Sequence, residues 1–244
     1  MIVPKSKELN QWNLEHDPHF SVPNDIQGLQ NSILELDSQH EKITKAIQEG
    51  LEDATNLLNR GDYNIYILPF YSGYSSEDLQ GVAGFAVSSG SIVLQIDPQI
   101  YTEKEIKYTI IHEYHHAVYM EDPEYKLRSQ HLLDRIVMEG KADILTKIAY
   151  PEYEVPWIEP LSETENDVVW NFIYEHKYSY KEEHLQKMHL GNSYEGIPSW
   201  SNYRGGFKIM QNFIEKNPEI TIEEWTYYSA KDIVERTDFA SILN

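Results

Sequence analysis

The stretch Ile110–Met120 reads IIHEYHHAVYM, and it holds His112, Glu113 and His116 in an H-E-x-x-H pattern. An α-helix turns about 100° per residue, so two positions four apart lie roughly 40° from each other on one face, one turn along. Two imidazoles placed this way can share one metal ion. Glu113, on the neighbouring azimuth, can reach a water on that ion without being a ligand itself. Chance alone produces this four-position pattern in roughly one such sequence in twenty, so the surroundings have to decide. Ile106, Ile110, Ile111, Ala117 and Val118 flank the motif, which makes the helix buried on most sides. Two imidazoles and a carboxylate are costly to bury without partners, and a cation satisfies all three.

The rest of the chain narrows which ligands are available. It has 244 residues and no cysteine, which excludes disulfides, thiolate zinc clusters, iron–sulfur centres and cysteine nucleophiles. Any metal is therefore held by His, Asp or Glu. Twenty basic against forty acidic side chains give a formal charge of -20. Such a surface repels nucleic acid and anionic membranes, so neither is expected as a partner. No apolar run is long enough for a membrane span. The start, MIVPKSKELNQW, lacks the pattern of an export signal, so a cytoplasmic location is expected.

A catalytic zinc site takes three protein ligands and keeps one position open. Asp122 would serve only if the helix turned back sharply, and Tyr119 stands where that turn needs glycine. A di-iron bundle needs a second E-x-x-H, and no other Glu here has His three residues later. The better source is MEGKAD, Met138–Asp143. Leu132, Ile136, Glu139 and Asp143 form one helical stripe, so two acids intrude on an apolar face. They read either as a salt bridge at the end of the core or as functional. In the functional reading Glu139 ligates the ion, and Asp143, one turn on, accepts the second ring proton of a histidine ligand, with His112 as first choice. Gly140 would let the motif helix and this one approach closely. His115, about 100° from His116, is expected to pack or to line the cleft.

Along the chain, residues 1–37 read as irregular to weakly helical, with Pro4, Pro18 and Pro23 as breakers. Ser38 with Glu41 reads as a capping box for a helix running through Ile43, Ile47, Leu51, Ala54 and Leu58 to Gly61. Strands are expected at Tyr63–Pro69, Val82–Ser88 and Ser91–Ile96, with a tight turn at Ser89-Gly90. Thr102 with Glu105 opens the motif helix, which ends before Pro123. Further helices are expected between Pro123 and Pro151, at Asp167–Tyr178 and at about 206–216, 222–228 and 230–237, the 222–228 helix capped by Thr221 with Glu224. Gly191–Gly206 reads as a structured loop. Strands early and helices late make this an α+β chain.

H-E-x-x-H followed by E-x-x-x-D on the next helix resembles the gluzincins, the thermolysin-like branch of zinc metalloproteases. Within them the chain looks closer to the YjaZ-type family of predicted zinc-dependent proteases. The match is carried by Ile110–Ala117, by MEGKADIL at Met138–Leu145, by Pro156-Trp157 and by GIPSWSNYRGGFKIM at Gly196–Met210. Two positions depart from that family: Asn202 precedes Tyr203 where glycine is usual, and Phe207 replaces a second tyrosine.

The resemblance implies a single zincin-like unit over 1–244. Residues 1–122 would carry the sheet and the active-site helix, and 123–244 a helical lobe. It also implies one Zn²⁺ held by His112, His116 and Glu139, with Glu113 as general base, in a hydrolase acting on a peptide or protein. Tyr203 is the first candidate for a hydroxyl that stabilises the oxyanion, with His184, His189 and Arg204 behind it; a ring packed under a loop is the plainer reading of Tyr203. In such folds an extended substrate pairs with a sheet edge above the metal helix, here around Gly84, Phe85 and Ala86. Two other readings stay open: a metal-holding interaction module that cuts nothing, and a metal hydrolase acting on a non-protein amide.

Overall fold

The computed structural model describes residues 20, 24–70, 77–122, 125 and 130–243. Pro4, Pro18, Pro23 and Pro123 lie outside the described residues. The chain is α+β, and it divides into two compact units, Met1–Glu121 and Asp122–Asn244. Among the described residues no helix is long and apolar enough to cross a membrane.

In the first unit the stretch read as irregular to weakly helical contains a helix, α1 (Ile26–Ser38). Asp25 starts it by accepting the Gly28 N–H at 2.9 Å, which satisfies one of the amides that a helix start leaves unpaired. Ser38 does not cap the next helix. Its hydroxyl donates to the Glu35 carbonyl at 2.7 Å and closes α1. The following helix, α2 (His40–Leu57), starts at Gln39 without a side-chain cap and ends four residues before Gly61. Its apolar stripe is as expected: Ile43, Ile47, Ala54 and Leu58 are buried.

Three strands follow at the expected places, β1 (Asn64–Pro69), β2 (Val82–Ser88) and β3 (Ser91–Ile96). Their order is β1-β3-β2, with β1 parallel and β2 antiparallel to the central β3. The hairpin turns at Ser89-Gly90, with an irregularity in register between Ala86 and Ser88. All six residues of β3 are buried, which fits a strand covered on both faces. Strand β2 is left at an edge.

The motif helix is α3 (Glu103–Tyr119), with Thr102 accepting the Glu105 N–H. Only this half of the anticipated box forms, because the Glu105 side chain is buried instead of reaching back. From Glu105 to Tyr119 every residue except Lys107 and Thr109 is buried. The Tyr114 hydroxyl donates to the Leu58 carbonyl and accepts the Arg60 N–H at 3.1 Å, fastening α3 to the end of α2.

The described residues of the second unit form six α-helices: α4 (Leu132–Ala149), α5 (Glu163–His176), α6 (Glu182–Leu190), α7 (Ser201–Lys216), α8 (Ile222–Tyr227) and α9 (Ala230–Glu235). A one-turn 3₁₀ helix sits at Pro156–Ile158. Helix α5 starts four residues early, because Ser162 and Glu165 form a complete capping box. Helix α6 was not anticipated; it is short and buries only Met188, so it carries little apolar periodicity. Helix α7 begins at Ser201, inside the stretch read as a loop, and takes Gly205 and Gly206 into its interior.

Packing explains Gly206. A Cβ on Gly140 of α4 would lie 2.1 Å from the Gly206 carbonyl oxygen, and one on Gly206 would lie 2.1 Å from the Ile136 carbonyl oxygen. Backbone meets backbone where α4 and α7 cross. The close approach at Gly140 is made with α7. Lys141, also on α4, is fully buried and donates to the Thr226 and Tyr228 carbonyls at 3.0 and 2.7 Å. These belong to the end of α8, where carbonyls lack helical partners. Hydrogen bonds from a charged donor are worth about 1.5–3 kcal/mol each, which offsets burying the ammonium.

Candidate metal centre

Inside α3 the two histidines of the pattern face each other. His112 Nε2 and His116 Nε2 are 3.0 Å apart, with the rings nearly perpendicular. Both side chains are buried, at 8% and 7% exposure, so neither is a solvated surface imidazole. His115 is wholly buried and its ring centroid is 6.3 Å from that of His116, so it packs in the core.

Glu113 is held from the sheet. Its Oε2 accepts the backbone N–H of Ala86 at 2.7 Å, in a buried hydrogen bond. This requires β2 to lie directly against α3, and Gly84 permits it. A Cβ on Gly84 would sit 2.4 Å from Glu113 Cγ and 2.6 Å from Thr109 Cγ2. Gly84→Ala is accordingly expected to lower stability by roughly 1–3 kcal/mol, the usual cost of overpacking, as read from a shift in urea midpoint. An unshifted midpoint would mean that strand and helix separate freely. Phe85 faces the other way, against Phe20, Val87 and Val93. Gly81 is also constrained: it takes a positive φ of 81° against the Tyr101 backbone.

On α4, Glu139 is half-buried and Asp143, one turn later, is fully buried. The Asp143 Oδ1 accepts the Tyr153 hydroxyl at 3.0 Å, and the Tyr153 oxygen accepts the indole N–H of Trp157 at 3.1 Å. His112, His116 and Glu139 form a group able to hold a metal ion. Each offers one ligand atom, and these atoms all lie within 4.8 Å of one another. Among the described residues it is the one group of three or more His, Asp or Glu so arranged.

Tyr203 lies in the first turn of α7, half-buried, in a ring cluster with Trp200 and His189 at centroid distances of 5.7 and 5.8 Å. Trp200 itself stands in left-handed backbone, φ 63°, immediately before the helix. Arg204 donates to the Pro156 carbonyl at 3.3 Å. His184 belongs to a different cluster, its ring 4.0 Å from His176 and against Phe172. Burial there pushes the His184 pKa down, and the neighbouring His176 and Lys181 add to it.

Sequence reasoning named the pattern residues but not what holds them. The use of the Ala86 N–H by Glu113 is a backbone contact with no residue signature. The Asp143–Tyr153 bond joins a helix to a loop ten residues on, where no periodicity points.

No curated protein and no solved structure matches this chain. One family model does, over residues 43–235, and those bounds take in β1 to β3, α3, the acids of α4 and the first turns of α7. By that match the chain belongs to the DUF2268 family, described as a predicted Zn-dependent protease.

Proposed function

We propose that this protein is a zinc-dependent peptidase with a zincin-like site, in which His112, His116 and Glu139 hold one Zn²⁺ and Glu113 is the general base. The observation that carries the reading is the paired imidazoles of α3 with a backbone-anchored carboxylate beside them. The donor set fits the metal. Two nitrogens at zinc-bonding distance on a tetrahedral ion stand about 3.3 Å apart, within a few tenths of an ångström of the separation here. Two imidazoles and one carboxylate make the His₂Glu set of catalytic zinc, which leaves one position for water or substrate. Family membership supports the same assignment.

Bound zinc supplies a water acidified to a pKa of ~7 and a Lewis acid for the scissile carbonyl. The chain's own residues do the rest. Glu113, pinned through Oε2 by the Ala86 N–H, takes the water proton on Oε1 and later returns it to the leaving amine. Pinning one oxygen fixes the direction of the other, and orientation of this kind lowers the barrier before any chemistry occurs. Tyr203 presents a hydroxyl donor to the developing oxyanion. An extended peptide adds along the edge strand β2 at Gly84, Phe85 and Ala86, with the Ala86 N–H left to Glu113.

Purified protein is expected to carry zinc near one per chain and to cleave unstructured polypeptides. Elemental analysis, with mass spectrometry of digests from a peptide library, checks both. Zinc without any cleavage would leave a metal-holding module in place of an enzyme, and cleavage of small amides only would move the substrate class.

A further inference from the structure

The buried hydrogen-bond chain behind Asp143 has a fixed direction. A tryptophan indole N–H can only donate. Trp157 Nε1 lies 3.1 Å from the Tyr153 oxygen, so that oxygen is the acceptor, and the single hydroxyl proton goes to Asp143 Oδ1 at 3.0 Å. The Asp143 oxygen accepts that hydrogen bond. Asp143 and Tyr153 are 0% and 1% exposed, so water does not compete for the bond.

The segment carrying Tyr153 is fastened along its length. Helix α4 ends with the Tyr150 N–H donating to the Thr146 carbonyl at 2.8 Å. The Tyr153 N–H then donates to the Tyr150 carbonyl at 2.8 Å, and Lys147 Nζ donates to the Tyr153 carbonyl at 2.8 Å. Further on, Arg204 of α7 holds the Pro156 carbonyl. The loop therefore brings the phenol back to its own helix, one turn beyond Glu139, and keeps it there.

Resting on the zinc reading above, we propose that Tyr153 is a positioning residue of the metal centre, with Trp157 behind it. By taking Asp143 Oδ1, the phenol sets the rotation of a buried carboxylate that stands one turn beyond Glu139 on the same helix. Outer groups that orient the side chains around a zinc ion tune its binding, and loss of one typically costs 10–100-fold in metal affinity. A tyrosine that merely fills the core and satisfies its hydroxyl would not act on the metal at all.

Zinc affinity, measured by competition with a chromogenic chelator on the full chain, separates the two. Tyr153→Phe keeps the ring and removes the donor. It is expected to weaken zinc binding about tenfold or more, while the unfolding midpoint of the metal-free protein moves by only a few degrees. Asp143→Asn should weaken zinc binding comparably. In that background Tyr153→Phe should add little, because both changes break one chain of contacts. Trp157→Phe should shift affinity the same way by a smaller factor, and it carries the test should Tyr153→Phe fail to fold. Wild-type zinc affinity in Tyr153→Phe, or full additivity with Asp143→Asn, overturns the proposal and leaves the ligand set standing. Absence of zinc binding by wild-type protein, or zinc retained by His112→Ala, overturns the ligand set and this proposal together.

Discussion

Glu113→Gln is expected to leave zinc in place and to lower the rate of peptide hydrolysis by about 10²–10⁴-fold, the usual contribution of a positioned acid–base group. The amide is nearly isosteric, and its carbonyl oxygen can still accept the Ala86 N–H that Glu113 Oε2 accepts at 2.7 Å. Strand β2 and α3 thus keep their contact, and stability should change little. What goes is the capacity to take a proton. Initial rates on an unfolded polypeptide, with zinc content measured on the same sample, check the result. Hydrolysis at the wild-type rate would remove Glu113 from the chemistry.

His116→Ala is expected to bring zinc content down to background and to abolish hydrolysis with it. Each of the two facing Nε2 atoms is one of only two nitrogen donors in the group, and a carboxylate with one imidazole makes a weak zinc site. A thermal readout keeps metal loss apart from misfolding. Ligand that binds only the folded state raises stability by RT ln(1 + [L]/Kd), about 4 kcal/mol at a thousand times Kd. Added zinc should therefore raise the wild-type midpoint by several degrees and leave His116→Ala unmoved. Stoichiometric zinc in that variant would break the proposed ligand set.

The parts of this protein that were legible in its sequence are those set by short-range periodicity. His112 and His116 are four apart, and a helix interior forces such residues onto one face whatever surrounds them. The caps at Thr102 and Thr221 mark helix starts, since the first amides need an acceptor close in sequence. The alternation and turn residues of Val82–Ile96 located the hairpin. Glu139 and Asp143 could be picked out because acids on an apolar stripe are conspicuous.

Local signals misled where the winning interaction was distant or faint. Gly205-Gly206 has the composition of a loop, and it is helical because the backbone of α4 presses on Gly206 at Gly140. Ser38 and Glu41 have the spacing of a cap, and Ser38 closes the preceding helix instead. Helix α1 read as only weakly helical because its cap, Asp25, comes two residues after Pro23, and a proline restricts the chain only at and just before its own position.

From the residues alone came a buried helix with two imidazoles one turn apart, a carboxylate between them and a cysteine-free donor set, because helical geometry and residue chemistry need nothing beyond neighbours in the chain. Tertiary structure decided what those groups are held by: the Ala86 amide on Glu113, the Tyr153 phenol on Asp143, and the glycine crossing that sets α4 against α7. Such contacts join positions 10 to 66 residues apart through backbone atoms, a loop and missing side chains, and none of these leaves a period in the sequence.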